Sequence, residues 1–460
     1  MRPSQTDTKK KLTLFALTWP IFIEIFLHML MGNADTLMLS QYDDNAVAAV
    51  GVANQIMSVI IVMFGFVAMG TTILIAQYLG ARQERQAGQI AVVSIAANLV
   101  FGLVLSLVLF VFGPQILGVM NLPPELMDTA LMYLRIVGGF AFIQALIMTA
   151  GAIIKSHGFT KDAMWITLGM NVLNVIGNYL LIFGPGMFPE LGATGVAIST
   201  AGSRTIGVII LAVVLYKRVN GELPFAYMFR SFPKPELQQL LKIGIPSAGE
   251  HLSYNMSQVV ITIFISSMGT IELTTRVYTQ NIMMFILLFA VAIGQGTQII
   301  VGHLIGEGKH REAYERCMKS LWIGFAVSTG AALLFAFFRE PILGIFTDNR
   351  DIIELGGILL LLTIILEPGR TFNLIVINSL RAAGDVKFPV YMGILSMWGV
   401  SVTISYTAGL IFGLGLVGIW ISFIADEWFR GLIMLKRWKG RKWERMGFVQ
   451  KEKPLKVPGS

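Results

Sequence analysis

The stretch Trp19-Pro20-Ile21-Phe22-Ile23-Glu24 returns as Ile245-Pro246-Ser247-Ala248-Gly249-Glu250, an offset of 226 between the two prolines. The same offset pairs Gln55-Ile56 with Asn281-Ile282, Gly70 with Gly296, and Gly80 with Gly306. It also pairs Arg85 with Arg311, Ala87 with Ala313, Gly158 with Gly384, and Lys161 with Lys387. Further on, Leu191-Gly192 and Leu414-Gly415 differ by 223, so one half is three residues shorter in that region. An offset held from Pro20 to Lys161 marks an internal duplication, which sets the frame for reading the rest.

The repeated unit is apolar. Of 460 residues, 55% are hydrophobic and 13% charged, which predicts an all-α polytopic membrane protein. Its 47 glycines suit close packing between helices in lipid. Apolar segments of helical length are predicted at about 12–39, 46–76, 90–112, 127–154, 162–183 and 193–217. A second set follows at about 239–268, 275–304, 317–338, 352–379, 387–411 and 415–437. Gly113-Pro114, Pro123-Pro124 and Gly184-Pro185-Gly186 mark turns between segments. The division is therefore an N-lobe over 1–217, a linker over 218–238 with Phe232-Pro233-Lys234-Pro235, a C-lobe over 239–437, and a basic tail over 438–460, read as disordered. The first segment is too long for a signal-peptide core and reads as a retained helix.

Loop charge gives the orientation. Lys9, Lys10, Lys11, Arg82, Arg85, Lys155, Lys161, Lys217, Arg218, Arg230, Lys234, Lys242, Lys309, Arg311, Arg316, Lys319, Arg381 and Lys387 fall on one side, with the tail. The alternate loops hold Arg276, Arg339 and Arg350. The positive-inside rule puts both termini in the cytoplasm, which needs an even helix count, and twelve satisfies it. Six helices per half make the repeat a parallel one, with a pseudo-two-fold axis along the membrane normal and a site between the halves. In this setting the net charge of +8 is loop charge and not a sign of nucleic acid. The single cysteine, Cys317, excludes an internal disulfide and a cysteine metal cluster. No cofactor is expected, and no partner beyond small molecules and the bilayer, with the chain acting as a monomer.

Copies are informative where they differ. Asp35, in Leu30-Met31-Gly32-Asn33-Ala34-Asp35-Thr36, aligns with Ile261. In the fifth segment Asn171, Asn174 and Asn178 align with Met397, Val400 and Ile404. A carboxylate in a membrane segment costs about 2.5–3.5 kcal/mol on insertion scales, so it signals function by default. The three asparagines fall within roughly 60° of one another on a helix. Asp35 and Asn178 each lie five or six residues before the outer end of their segments, so they share a depth. Thr36, Tyr179, Ser199 and Thr200 can add oxygens. Desolvation with only neutral amide neighbours disfavours an ionised carboxylate, which suits a proton carrier, while the same oxygens also form a ligand set for sodium. The lone carboxylate favours the proton.

Other polar groups read as structural. Glu24 and Glu250 are repeat equivalents. Glu367 with Arg370, and Asp426 with Arg430, have the spacing of ion pairs within one helix. His28 and His251 read as interior histidines, and Arg204 has no evident partner. Met283, Met284, Phe285, Met392, Met397 and Trp398 give the second half adaptable apolar surface. With Met31, Tyr179, Glu367 and Arg370, residues Met283, Met284, Met397 and Trp398 are the candidates for a substrate cavity.

Two six-helix halves, Met31-Gly32-Asn33-Ala34-Asp35-Thr36, Leu380-Arg381-Ala382-Ala383-Gly384-Asp385 and the segment exits at Gln77–Gly80 and His303–Gly306 together resemble the multidrug and toxic compound extrusion (MATE) family over about 12–437. The resemblance implies export of lipophilic, often cationic drugs in exchange for protons or sodium by rocking lobes. In the DinF-like branch the first-segment aspartate and polar groups of the fifth segment form a cation site, and Asp35, Asn174 and Asn178 match those positions. In the sodium-coupled NorM branch further acids stand in segments 7 and 10, where this chain has Tyr254, Asn255 and Arg370, with Glu367 nearby. Some archaeal relatives carry a second aspartate where Asn178 stands. The expected function is thus proton-coupled drug export from the cytoplasmic (inner) membrane, with Asp35 as coupling carboxylate and Asn174, Asn178, Asn171, Thr36 and Thr200 around it. The alternatives are a sodium-coupled exporter using the same site, or a flippase for lipids or lipid-linked saccharides, which needs a basic central cavity. An enzyme is excluded by the lack of HExxH, paired intramembrane histidines or a catalytic serine motif. A channel is disfavoured by the two-lobe repeat.

Overall fold

The apolar segments fold as α-helices, the form in which a chain in lipid satisfies its own backbone N–H and C=O groups. The computed structural model describes residues 12–120, 122–219, 223–224, 227 and 233–449. The first half contains α1 (Leu14–Ser40), α2 (Asp44–Gly80) and α3 (Glu84–Val119). Next comes α4, a pair of helices, Pro124–Gly138 and Ala141–Ser156, bent by 41°. α5 (Thr160–Phe183) and α6 (Ala193–Arg218) complete it. The second half contains α7 (Lys234–Met268), α8 (Thr270–Gly306), α9 (His310–Phe337), α10 (Arg350–Ala382), α11 (Lys387–Ile411) and α12 (Gly415–Lys439). Local chemistry sets the ends. Asp43 accepts from the Asn45 and Ala46 amides to start α2, and Gly184, at φ 57°, ends α5 in the left-handed region.

Among the described residues nine single helices are long and apolar enough to cross a membrane, and the bent α4 makes a tenth span. α7 and α12 are long enough but too polar to meet that composition. The chain is a multi-pass membrane protein. α11 departs from the regular helix: Met397–Val402 and Ser405–Ile411 are wound as π-helix.

Several boundaries differ from expectation. α7 starts at Lys234, inside the expected linker, because Pro233 and Pro235 sit at its first positions, where a missing N–H costs nothing. Arg276, expected in a loop, lies inside α8, which begins earlier, at Thr270. Lys155 and Arg381, also expected in loops, are the penultimate residues of α4 and α10. Within the tail, residues 438–449 have a defined structure. A 3-10 turn, Lys442–Arg445, brings Trp443 onto Trp438 with ring centroids 4.1 Å apart, both fully buried. That aromatic anchor outweighs the basic composition that suggested disorder. Lys9, Lys10, Lys11, Arg230, Phe232 and 450–460 lie outside the described residues.

The halves meet at the end of the bundle that carries the basic loops. Their contacts come in matched pairs. A Cβ on Gly80 would strike the His303 backbone oxygen, and one on Gly306 would strike that of Gln77, so α2 and α8 cross with backbones touching. Gln77 Nε2 donates to the Ala382 oxygen at 2.6 Å, and His303 Nε2 lies 2.8 Å from the Ser156 oxygen. Gly70 packs against Leu240, and Gly296 against Leu14 and Thr18. Phe448 N then donates to Gln77 Oε1 at 2.8 Å, so the end of the second half reaches into the first. Along α1 the contact with α8 runs through Leu14, Leu17, Ile21, Phe22 and Ile25, and Phe22 stacks on Phe289 at 4.4 Å. Towards the other end Gln55 and Asn281 are exposed, a polar pair that fits a watered cleft between the halves and not a lipid face.

Candidate functional site

Inside the first half, α1 and α5 pack along their length and α6 closes them from the side. Asp35 on α1 is 7% exposed, while Asn174 and Asn178 on α5 are fully buried. Asn178 Nδ2 donates to Asp35 Oδ1 at 2.6 Å. Asn174 Nδ2 donates to Thr200 Oγ1 on α6 at 3.2 Å, and Ser199 Oγ donates to the Asn174 backbone oxygen at 2.8 Å. Asn171 Nδ2 donates to the Leu27 oxygen of α1 at 2.7 Å. The side-chain oxygens of Asn171 and Asn178 are buried without a partner. The result is a buried carboxylate whose hydrogen-bond partner is a neutral amide, with amide oxygens left to accept.

The structure thus brings together Asp35, Asn178, Asn174 and Thr200, with Asn171 two turns deeper. Thr36 is not in the cluster: it is exposed and its hydroxyl donates to Gly32 of its own helix at 3.0 Å. The one-residue step from Asp35 turns it by about 100°, onto a different face. Tyr133 of α4 is a neighbour that the sequence did not flag. It is buried, hydrogen-bonds Asn54 Oδ1 at 3.0 Å, and interacts electrostatically with Asp35 and Arg204. Arg204, four residues after Thr200 on α6, is partly buried with an unpartnered Nε, and its charge acts on Asp35 and His28 of α1 without a hydrogen bond or ion pair. A tyrosine from a distant helix gives no sequence signal. An arginine inside an apolar segment does, but not its partner.

In the second half the polar groups form a dense ionic network. Arg370 of α10 bonds Glu367 at 2.8 Å and Glu427 of α12 at 3.4 Å. Arg430 bonds Asp426 at 2.6 Å and Glu427 at 3.3 Å. Asn373 Nδ2 donates to Glu427 Oε2 at 2.8 Å and Ser396 Oγ donates to Asp426 Oδ1 at 2.5 Å. Both ion pairs expected from spacing are present, and Glu427 joins them, pairing with Arg430 three residues on in its own helix and with Arg370 across to α10. A small cavity beside the network is lined by Tyr254, Gln258, Gln280, Arg370, Met397 and Glu427, among others. Of the substrate-cavity candidates, Arg370 and Met397 line it, and Glu367 lies behind it, fully buried. Met283 belongs to the apolar core of this half and not to a cavity. Met284, Tyr179 and Trp398 are exposed, Met31 is half-buried, and Trp398 Nε1 donates to Ser253 Oγ at 2.9 Å.

Glu24 and Glu250 are each held by a base at the end of a neighbouring helix: Glu24 by Lys155 at 2.9 Å, Glu250 by Arg381 at 2.5 Å. The four positions keep the offset of 226. Among the described residues no group of three or more His, Cys, Asp or Glu could hold a metal ion.

Two bundles of long apolar helices in contact at one end, each with a buried polar centre, define a polytopic membrane transporter. The chain belongs to the MATE family: the MatE profile matches residues 20–180 and again 246–407. It is a transporter for small molecules and not an enzyme. It is 55% identical to an "uncharacterized transporter YisQ" of Bacillus subtilis (strain 168), over 96% of each chain. It is 27% identical to a "probable multidrug resistance protein NorM" of Thermotoga maritima, over 98% of this chain and 97% of that one. A solved MATE structure in a bent conformation shares the fold with a TM-score of 0.86 at 20% identity, covering 93% of this chain and 94% of that one. A MOP superfamily transporter from Pyrococcus furiosus does so with a TM-score of 0.84 at 19% identity, covering 93% and 95%. Relatives named NorM are among these matches, so similarity alone does not separate a DinF-like from a NorM-like chain.

Proposed function

We propose that the protein is a proton-coupled exporter of lipophilic, often cationic compounds, with Asp35 as the group that takes up and releases the proton. The observation that carries this is the buried Asp35 bonded to Asn178 at 2.6 Å, beside the amide of Asn174 and the hydroxyl of Thr200. Protonation removes the charge that holds Asn178 and biases α1 towards a second arrangement, which is the requirement for coupling. The DinF-like reading rests on this first-half centre, and on Tyr254 and Asn255 standing where the NorM branch has an acid.

Alternating access is the mode of action, by rocking of two six-helix lobes in a single chain. Support comes from the matched contacts between halves and from a family profile that fits both of them. On this reading α7 and α12 are the eleventh and twelfth spans, the repeat is a parallel pseudo-two-fold, and the protein sits in the cytoplasmic membrane. The basic loops and both termini face the cytoplasm. The halves touch at that cytoplasmic end, so the cleft is open outward in this state. The drug names of relatives such as the Thermotoga maritima NorM protein support the substrate class.

Sodium is the second reading for the ion. The unpartnered oxygen of Asn178 favours it, since it adds a hard ligand near the carboxylate. The flippase alternative calls for a basic central cavity. Arg370 and Arg430 are both paired with acids, which argues against it. The test is drug efflux from proteoliposomes under a proton gradient and, separately, a sodium gradient, for wild type and Asp35→Asn. Proton-driven efflux that survives the substitution would sink the assignment of Asp35. Sodium-driven efflux would keep the site and change the ion.

A further inference from the structure

We propose that residues 446–448 form a strap across the cytoplasmic seam that favours the outward-open state; this rests on the rocking of the halves proposed above. The strap starts from a fixed point on the second half. Trp443 stacks on Trp438 at the end of α12, and its Nε1 donates to the Trp438 oxygen at 2.8 Å. Tyr314 of α9 also stacks on Trp438, and Arg441 lies over the Tyr314 ring at 4.9 Å. Buried aromatic pairs of this kind hold a chain in one geometry.

From this anchor the chain passes over the seam. The backbone oxygen of Met446 lies against Gly384, where a Cβ would strike it. Gly384 has φ 95°, in the left-handed region, so both its conformation and this contact require glycine. A Cβ on Gly447 would meet Ile305 of the second half and Gln77 of the first. Phe448 then reaches the first half. Its N–H donates to Gln77 Oε1 at 2.8 Å, and its side chain packs against an apolar cluster built mostly by α2 to α6.

Gln77 is fully buried, and both ends of its amide bond the second half. Nε2 donates to the Ala382 oxygen, and Oε1 accepts from Phe448. The Ala382 bond has a counterpart in His303 and Ser156, at the offset of 226. The Phe448 bond comes from a different source. Shifted back by 223, residues 446–448 fall in the linker that runs on into α7. The first half is therefore tied to the second by the chain itself, and the second is tied back to the first by the strap.

Opening towards the cytoplasm separates α2 from α8. The strap moves with the second half, because Trp443 anchors it there. Phe448 must then leave its cluster, and Gln77 Oε1 must lose its donor. An apolar side chain returned to water loses its transfer free energy, and a buried oxygen left without a donor is disfavoured. The outward-open arrangement keeps both contacts. A contact made in one of two states shifts the balance towards that state by its own strength.

The test uses the full chain and three variants in proteoliposomes, each spin-labelled at Arg85→Cys and Arg311→Cys. These positions are exposed, lie in the first turns of α3 and α9, and are related by the offset of 226. Cys317 is buried and is left in place. The distance between labels is measured with and without an imposed proton gradient. Truncation after Arg445 should raise the ratio of long to short distances by roughly fivefold or more, the weight of one net hydrogen bond and the Phe448 contact. Phe448→Ser should raise it by a smaller factor, because the backbone bond stays. Truncation after Val449 should leave it unchanged. If two distances are seen and the ratio is the same in the full chain, in the chain cut after Arg445 and in Phe448→Ser, the inference is overturned and the rocking stands. An equal rise after truncation at Val449 also overturns it, because the effect would then lie in 450–460. If the chain cut after Arg445 does not fold, an unchanged ratio in Phe448→Ser decides against the strap. One and the same distance in every chain under both conditions overturns the rocking itself.

Discussion

Arg204 on α6 and Glu427 on α12 are 223 residues apart, the offset that separates Leu191-Gly192 from Leu414-Gly415, and carry opposite charge. Near Arg204 the centre on α1, α5 and α6 holds one carboxylate, Asp35, among amides and hydroxyls, and Arg204 itself makes no ion pair among the described residues. Around Glu427 the neighbours are Arg370, Arg430 and Asn373, with Glu367 and Asp426 completing the network. One architecture thus supports two kinds of polar centre. In the first, a single change of protonation alters the charge balance of the whole centre. In the second, each charge has several partners, and the cost of burying it is shared. The first is built to respond and the second to hold.

Substitutions can break that comparison. The largest effect expected is for Asp35→Asn, which should reduce proton-driven efflux to background with little loss of folded protein, measured by transport and by size-exclusion after heating. Glu427→Gln should do the reverse in kind. Removing the acceptor shared by Arg370 and Arg430 should cost about 3–5 kcal/mol of stability, read from thermal unfolding in detergent. If Glu427→Gln is stable and dead in transport, the second centre is not merely structural. Asn178→Ala comes next: a hydrogen bond to a charged group is worth about 1.5–3 kcal/mol, and its loss should weaken the response of transport to the proton gradient. Truncation after Arg445 removes the Phe448–Gln77 bond, worth about 1 kcal/mol, and should lower the midpoint of thermal unfolding slightly. Thr36→Ala should leave transport unchanged. Any large loss there would bring Thr36 back into the centre.

Much of the fold was legible in the sequence because its cause is local. Apolar segments become helices, and the offset of 226 recurs in the paired contacts at the seam. The first centre was legible for the same reason: the asparagines repeat at helical spacing, and Asp35 and Asn178 share a depth. What failed depends on tertiary contacts. Thr36 was grouped by adjacency, but neighbours on a helix point apart. Tyr133 meets Asn54, and Glu427 meets Arg370 and Asn373, across helices that no spacing connects, whereas the Glu427–Arg430 pair lies within one helix. The order of the tail depends on Trp443 finding Trp438, a contact that overrides a composition typical of disorder.

The seam between the halves has a further consequence. Gln77 reaches Ala382 and His303 reaches Ser156, while Gly80 meets His303 and Gly306 meets Gln77. Each contact occurs twice with its partners exchanged, which is how two identical subunits meet across a dyad. Either half on its own therefore presents a surface that fits a copy of itself. If the halves are produced as separate polypeptides, each faces a choice between its twin and its true partner. The bonds that differ between the pairings, such as Phe448 to Gln77, would decide the sorting.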